Sequence, residues 1–375
     1  MNEQEKTQQD ITIKITKEQL PELEPSFLDL KNIKKINNYE IIKEIESSGG
    51  QSEIFLVKDT KEQKYILKLY HKNVDINDLA IKKIIELSTT YPNYFIKIYD
   101  LNYEPTLKRY YEIQEYIAYG NLEEFYKNFY PLDYQLIDNI ILKINEALNI
   151  LHSNGIIHRD LKPSNILIRN ILKNQNQITD IELVLTDFNI SSFIDTKITK
   201  KITQNIKGTI NYLAPETFSN IIKKESDYWA LGIILYELLT KSNPFNNVNI
   251  NLIIYTLLTK GIEIPENLPL KYKILLKGLL EKNPDKRFSY HQVKEIIEAK
   301  NESELLKIQQ KYFPDNVNNT NQTQQNTIIQ PTTIIKYNNK EYHSLETLLI
   351  EFIKDYKSFL SGLEFFKTPQ FESLL

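Results

Sequence analysis

The sequence predicts an α+β protein with two lobes, in which a small antiparallel sheet with one helix precedes a mostly helical lobe. From Tyr39 to about residue 118, β-branched and aromatic residues alternate or cluster in short runs, which is typical of strands. From residue 119 the apolar period lengthens to about 3.6 residues, which is typical of amphipathic helices. A chain of 375 residues is long enough for two or three compact units.

The first lobe contains five strand patterns and one helix pattern. YEIIKEIES, SEIFLVKD and KYILKLY predict a three-stranded meander with polar turns between the strands. INDLAIKKIIELST carries an apolar stripe and predicts a helix. FIKIYDLNYEP and RYYEIQEYI predict two further strands of the same sheet. We therefore expect this lobe to span residues 39–118.

The second lobe is predicted to span residues 119–300. Its longest helix pattern, LDYQLIDNIILKINEALNILHSNG, ends at Asn154-Gly155, a good helix stop. Helical patterns return in SDYWALGIILYELLT, NLIIYTLLTKG, KYKILLKGLLEK and SYHQVKEIIEAK. The long helix presents six apolar residues on one face: Leu136, Ile140, Ile144, Ala147, Leu148 and Leu151.

The remaining segments lie outside these two lobes. Residues 1–38 are polar and predict an N-terminal arm, and residues 301–335 predict a helical extension followed by an Asn/Thr/Gln-rich linker. Residues 336–375 predict a small helical module, because SLETLLIEFIKDYKSFL is strongly amphipathic. The module could dock on the preceding domain or on a partner, and a helix that completes its own small core explains the pattern equally well.

Charge and cysteine content exclude several classes of function. The 46 basic and 49 acidic residues give a net charge of -3, so no global field favours nucleic acid or an anionic membrane. The absence of cysteine excludes disulfides, thiolate metal sites and a cysteine nucleophile. No apolar stretch approaches the ~20 residues of a membrane span, and the N-terminus is polar. We expect a cytoplasmic protein.

Two polar segments stand out against this apolar background. HSNGIIHRDLKPSNILI brings His158, Arg159, Asp160, Lys162 and Asn165 into one loop between apolar elements. The strand pattern LVLTDFNI then ends at an aspartate, at position 187. Taken alone, an Asp-x-Asn turn that bonds its own backbone explains this ending.

The spacing of these residues resembles the protein-kinase superfamily, in its serine/threonine branch. HRDLKPSN matches the catalytic loop of that family, and the order of the other motifs agrees over about residues 39–300. The resemblance implies a bilobal protein-kinase fold and in-line transfer of the ATP γ-phosphoryl group. The acceptor would be a Ser or Thr hydroxyl of a protein substrate, because a lysine follows the leucine of the loop, and autophosphorylation is expected.

The resemblance assigns roles to the polar residues of the catalytic loop and the strand end. Asp160 would accept or orient the proton of the incoming hydroxyl, and Lys162 would steady the transferred phosphoryl group. Asn165 and Asp187 would hold Mg²⁺, which prefers oxygen ligands, with Mn²⁺ as the alternative ion.

The same resemblance places the nucleotide site in the first lobe. SSGGQSEI occupies the glycine-rich loop, with Ser47 at its first glycine, Gly49 at its second, and Ile54 at its valine. A Gly-Gly hairpin between strands explains these residues without a nucleotide. Lys68 would grip the α and β phosphates and pair with Glu86, although both could be ordinary surface charges.

The adenine would lie against the hinge between the lobes. The backbone of Glu115 and Ile117 would bind the base, Gln114 would gate the pocket behind it, and Leu167 would form its floor.

Three departures from the family pattern support a second hypothesis, a pseudokinase or scaffold that binds partner proteins. The glycine loop keeps only Gly49 of its three glycines, Ile66 stands where alanine is usual, and Asn189 replaces the glycine of Asp-Phe-Gly. Glu46, which replaces an aliphatic residue, and Ile66 would also perturb the nucleotide pocket. Asparagine is the non-glycine residue that best tolerates positive φ, so we expect Asp187 to remain a metal ligand.

Residues 190–208 resemble an activation segment, and the surrounding scaffold residues complete the resemblance. Arg159 would bind a phosphate on this segment, although the candidate threonines could be solvated loop residues. Glu216 would pair with Arg287, and Asp227 would brace the catalytic loop. The candidate acceptors are Thr196, Thr199 and Thr203.

Overall fold

The structure is a computed structural model of the chain. It describes residues 34–45, 52–71, 78–175, 177–188, 209–219, 221–246, 248, 250–258, 261–314, 335–337 and 340–342.

The first lobe is an antiparallel sheet with one helix, as predicted, but the sheet has six strands rather than the five expected. The strands follow the order β1-β2-β3-β4-β6-β5 across the sheet. Helix α1, Asp78–Thr90, precedes β5 in the chain and buries Ile84 and Leu87. The strands are β1 Lys35–Ile36, β2 Tyr39–Ile45, β3 Ser52–Lys58, β4 Lys64–Tyr70, β5 Ile98–Glu104 and β6 Arg109–Glu115.

Strand β1 was not predicted, because its two residues lie in the segment expected to be an arm. Lys35 and Ile36 pair with Glu40 and Tyr39 of β2. The side chain of Ile36 is buried and joins a small core of the first lobe, together with Phe55, Val57, Leu67, Leu69, Tyr111 and Ile113.

The second lobe is mostly helical and contains the large core of the protein. The predicted apolar face of the long helix is confirmed, since all six of its residues are buried. The helices are α2 Leu122–Phe129, α3 Tyr134–Ser153, α4 Glu225–Thr240, α5 Ile250–Leu258, α6 Leu270–Leu279, α7 Tyr290–Ile297 and α8 Glu302–Tyr312.

A β-hairpin lies between the catalytic loop and the residue 187 region. It consists of β7, Ile166–Asn174, and β8, Gln177–Leu185, in antiparallel register. The hairpin matters for the site because β7 begins just after Asn165 and β8 ends just before Asp187. Both residues therefore lie at the open end of the hairpin, opposite its turn.

The C-terminal segment is described only in part. Strands β9, Ile335–Tyr337, and β10, Lys340–Tyr342, form an antiparallel pair that the sequence did not predict. The amphipathic stretch expected to be helical lies outside the described residues. None of the helices in the described part of the chain combines the length and the apolar composition that a bilayer span needs.

Candidate active site

The catalytic loop is held in place by a carboxylate from helix α4. Asp227 is buried and accepts hydrogen bonds from the backbone N–H groups of His158 (2.8 Å) and Arg159 (2.9 Å) and from Nε2 of His152 (2.8 Å). Burial alone would raise the pKa of Asp227, but the hydrogen bond and charge of His152 hold it below its ordinary value. The predicted bracing role is confirmed.

This bracing fixes an uncommon backbone geometry. Arg159 has a φ of 67°, in the left-handed region that non-glycine residues rarely adopt. Two fixed N–H groups, at residues 158 and 159, hold the chain there, because the buried carboxylate of Asp227 would otherwise lose its donors. The loop therefore presents the side chain after Arg159 in one defined direction.

Three predicted catalytic side chains meet in this loop. Oδ2 of Asp160 accepts hydrogen bonds from Nζ of Lys162 and from Nδ2 of Asn165, each at 3.0 Å. Nδ2 of Asn165 also donates to the backbone oxygen of Asp160 at 2.8 Å. The second carboxylate oxygen, Oδ1, is buried and has no hydrogen-bond partner among the described residues. A buried acceptor without a donor is suited to a hydroxyl group that arrives with a substrate.

Asp187 lies beside this cluster, at the end of β8. The N–H of Thr186 donates to the backbone oxygen of Asn165 at 3.0 Å, so the two segments that carry Asn165 and Asp187 are joined directly. Asp187 has a φ of 60°, so, like Arg159, it adopts the left-handed backbone conformation. The sequence predicted that residues 160, 165 and 187 would converge, and the structure brings them together.

Asp187 forms a salt bridge with Lys68 of β4, which connects the two lobes. Burial alone would raise the pKa of Asp187, but the positive charge of Lys68 outweighs this and lowers the pKa. Burial alone would lower the pKa of Lys68, but the charges of Asp187 and Glu112 outweigh this and raise the pKa. Each group therefore stabilises the charged form of the other.

The donor set fits a hard cation that is shared with a phosphate ligand. Asp187 supplies carboxylate oxygens, and Asn165 uses Nδ2 for its bonds to Asp160, so its carbonyl oxygen is the atom suited to a metal. Within the described residues, no group of three or more His, Asp or Glu side chains could hold a metal ion. The ion would thus complete its coordination with oxygens of the ligand and of water.

Phe188 anchors the segment that follows. Its ring is buried and packs on Phe95 at 5.6 Å and on His158 at 5.5 Å, both measured between ring centroids. Burial lowers the pKa of His158, which favours the neutral form of this ring in the interior. Asn189 lies outside the described residues.

The predicted nucleotide residues lie around the sheet and the hinge. Ile54 is directly opposite Lys68 in the β3–β4 ladder, so both side chains lie on one face of the sheet. Ile117 and Leu167 are partly buried and pack against the large core. Ser47 and Gly49 lie outside the described residues.

Glu115 has a partner that the sequence did not reveal. Its carboxylate accepts hydrogen bonds from Nε (2.9 Å) and Nη2 (2.7 Å) of Arg169 on β7. Such a paired, charge-assisted contact fixes orientation as well as distance. It connects the hinge to the second lobe.

The predicted pair between Lys68 and Glu86 is not formed in this structure. Glu86 is exposed on α1, whereas Lys68 is buried and bonded to Asp187. The prediction rested on the distance along the chain between the two residues, and that distance does not specify which face of the helix a residue occupies.

The predicted pair between Glu216 and Arg287 is confirmed. Nη1 donates to Oε1 at 2.6 Å and Nη2 donates to Oε2 at 2.8 Å, and both side chains are buried. This pair joins the segment after residue 209 to the segment before α7. The candidate phosphate acceptors Thr196, Thr199 and Thr203 lie outside the described residues.

The two-lobed fold, the lysine on its sheet and the polar loop beneath it define the architecture of a protein kinase. A family model described as "Protein kinase domain" matches residues 39–297, and the chain belongs to this family.

Curated relatives carry kinase names. Human mitogen-activated protein kinase kinase kinase 13 is 29% identical over 294 residues, which cover 73% of this chain and 27% of that protein. A Dictyostelium discoideum protein named probable serine/threonine-protein kinase is 30% identical over 288 residues, or 73% of this chain and 58% of that protein. A probable myosin light chain kinase of the same organism is 30% identical over 276 residues, which cover 69% of this chain and 82% of that protein. The matched part of the chain thus covers between about a quarter and about four fifths of the length of these relatives.

Proposed function

We propose that this chain is a serine/threonine protein kinase that transfers the γ-phosphoryl group of ATP to protein hydroxyl groups, its own included. The observation that carries this proposal is the buried, unpartnered Oδ1 of Asp160, which lies in one cluster with Lys162 and Asn165. A general base needs an acceptor atom within hydrogen-bond reach of the proton that it takes. This oxygen is an acceptor to which no described residue donates a hydrogen bond.

The proposed reaction assigns a role to each residue of the cluster. Asp160 orients the acceptor hydroxyl and receives its proton as the new phosphorus–oxygen bond forms and ADP departs. Lys162 lies 3.0 Å from Asp160, so its charge can stabilise the transferred phosphoryl group beside the acceptor. Lys68 holds the α and β phosphates from the sheet above.

Asn165 and Asp187 are proposed to hold Mg²⁺, with Mn²⁺ as an alternative. The ion supplies charge that neutralises the β and γ phosphates. Lys68 contacts Oδ1 of Asp187, so the second carboxylate oxygen is the atom that would face the ion. The salt bridge seen here therefore links two groups that would act on neighbouring parts of one nucleotide.

The alternative of a partner-binding pseudokinase has weaker support. Its sequence basis was the depleted glycine loop, Ile66 and Asn189, and the names of the relatives are those of kinases rather than scaffolds. A cytoplasmic location, the absence of nucleic-acid binding and docking through residues 336–375 stay predictions from the sequence.

The proposal predicts that Asp160→Asn lowers kcat by about 10²–10⁴-fold, because the amide cannot accept the proton. Incubation of the purified chain with labelled ATP, magnesium and a generic basic protein measures this rate, and phosphosite mapping identifies the modified hydroxyl groups. Asp285→Asn is the matched control, since Asp285 is an exposed residue of the second lobe. Equal labelling by wild type and Asp160→Asn would contradict the role of Asp160, and no labelling by any variant would favour the scaffold.

A further inference from the structure

The hinge connects strand β6, which ends at Glu115, to helix α2, which begins after Asn121. The resemblance behind the proposed function assigns the adenine base to the backbone of Glu115 and Ile117. The placement of this short segment therefore determines how well the base is held, and the inference drawn from it rests on the proposed function. Strand β7 lies beside the hinge and carries Leu167, the predicted floor of the base.

Arg169 of β7 holds the first end of the hinge. Its Nε donates to Oε1 of Glu115 at 2.9 Å, and its Nη2 donates to Oε2 at 2.7 Å. The third nitrogen, Nη1, donates to the backbone oxygen of Pro92 at 2.7 Å, in the segment between α1 and β5. The guanidinium group is therefore fixed by all three of its nitrogens, and it fixes the orientation of the carboxylate as well as its distance.

The backbone of the same strand holds the other end of the hinge. The N–H of Ile168 donates to the oxygen of Gly120 at 2.9 Å, and Asn121 pairs with Leu167 in an antiparallel bridge. Three successive residues of β7, 167 to 169, thus supply the predicted adenine floor and both attachments of the hinge. The placement of the hinge relative to that floor is consequently set by one strand.

Of these two attachments, the one through Arg169 depends on a side chain and can be removed by substitution. On the other side, the backbone N–H of Glu115 donates to the oxygen of Lys97 at 2.9 Å, so Glu115 also follows the sheet of the first lobe. The side chains of Arg169 and Glu115 are 24% and 22% exposed. Partly exposed ion pairs contribute little to global stability, so the loss of this pair should leave the protein folded.

We propose that Arg169 is a positioning residue for the adenine base, because it holds the hinge backbone at Glu115 in register with the floor at Leu167. The 6-amino group of adenine donates a hydrogen bond, whereas the 6-oxo group of hypoxanthine accepts one. A backbone oxygen at Glu115 distinguishes these two bases only while it is held in place. Arg169 thereby contributes to the preference of the site for adenine nucleotides.

Calorimetric titration with the magnesium complexes of ADP and inosine diphosphate tests this role, because the two ligands differ only in the base and need no turnover. Arg169→Ala should raise the Kd for ADP about five-fold or more, as expected when one ligand hydrogen bond weakens. The ratio of the Kd for inosine diphosphate to that for ADP should fall by about the same factor. Lys143→Ala is the matched control, since it removes a cation that pairs with Asp180 on the same hairpin, and both values should stay within two-fold of wild type.

Substitution from the other side of the pair gives the same test if Arg169→Ala does not fold. Glu115→Ala should show the same loss of base discrimination, and the double variant should lose no more than either single variant. Arg169→Lys keeps the charge without the paired geometry, so its Kd ratio should lie between those of Arg169→Ala and wild type.

Two results for folded Arg169→Ala would overturn the proposal: a Kd for ADP within two-fold of wild type, or equal weakening of both diphosphates, which a purely structural role would produce. Additive losses in the double variant would do the same. A wild-type chain that binds neither diphosphate would also overturn it, because the hinge would have no base to position. A wild-type chain that binds ADP selectively without transferring phosphate would refute the kinase activity alone, and the variants would still decide the role of Arg169.

Discussion

Glu237 is a buried acid of helix α4 whose charge depends on pH near neutrality. Burial raises its pKa to about 7, although hydrogen bonds from Asn243 (3.0 Å) and the hydroxyl group of Tyr212 (2.8 Å) offset part of this effect. Glu123 raises the pKa further and Lys127 lowers it, and both act only through their charge. Tyr212 lies just after residues 190–208, which resemble an activation segment. The charge of Glu237 therefore affects the hydrogen bond that holds Tyr212.

This raised pKa predicts that the free energy of unfolding falls as the pH rises. The folded protein binds more protons than the unfolded chain between the ordinary pKa of 4.5 and about 7, so stability is lost across that interval. A shift of this size corresponds to about 3 kcal/mol. Glu237→Gln should remove this contribution, and urea unfolding at pH 5, 6, 7 and 8 measures it.

The control for this prediction is Glu266→Gln, because Glu266 has an exposed side chain. That variant should keep the pH dependence of wild type. The same pH dependence in Glu237→Gln and wild type would contradict the role of burial at Glu237.

At the scale of elements, the second lobe is held by close packing between helices and the segments between them. Gly278 of α6 lies against the ring of Phe288, so a Cβ atom at this position would overlap the ring. The backbone N–H of Phe288 also donates to the oxygen of Gly278 at 3.0 Å, which holds the two backbones close together. Arg287, the residue before Phe288, forms the buried pair with Glu216. The contact between α6 and Phe288 therefore lies next to that pair.

Gly278→Ala should therefore destabilise the protein by about 1–3 kcal/mol, even though alanine has the higher helix propensity. The loss arises because Phe288 must move or leave its rotamer to admit one methyl group. Thermal or urea unfolding measures the change. Lys273→Ala on the same helix should stay within about 0.5 kcal/mol of wild type, and a neutral result for Gly278→Ala would contradict the packing seen here.

At the scale of the whole molecule, several contacts connect the two lobes at the site. The salt bridge between Lys68 and Asp187 crosses between them. Backbone hydrogen bonds from Ile96 to Leu185 and from Leu185 to Tyr94, both of 2.9 Å, attach the segment before β5 to strand β8. A ligand that binds Lys68 and Asp187 together would therefore favour one arrangement of the lobes.

A non-hydrolysable ATP analogue with magnesium should raise the free energy of unfolding by about 2.7 kcal/mol at one hundred times its Kd. Asp187→Asn should lose the part of this gain that depends on magnesium, because an amide is a poor ligand for a hard cation. Thermal unfolding with the analogue, with and without magnesium, measures the difference.

Asp180→Asn is the matched control for this measurement. Asp180 lies on the same hairpin and pairs with Lys143, away from Lys68. The full magnesium effect should remain in this variant. An unchanged magnesium effect in Asp187→Asn would contradict the proposed metal site.

The sequence was sufficient for the fold and for the polar loop. The change of apolar period marks the boundary between the lobes, and the spacing of Asp160, Lys162 and Asn165 reflects a local loop geometry that neighbouring residues determine. One long-range contact, the buried pair between Glu216 and Arg287, was also predictable from the family pattern.

The surroundings of Lys68 could not be predicted from the sequence. Counting residues placed Glu86 near this lysine, but only the orientation of α1 on the sheet specifies which of its faces is buried. Glu112 was overlooked because an acid in a strand pattern usually faces solvent, whereas the β4–β6 register sets this one opposite Lys68. Local patterns thus established the elements and the loop. The salt-bridge partner of Lys68, Asp187, was determined by how the end of β8 meets the sheet, which depends on residues far apart in the chain.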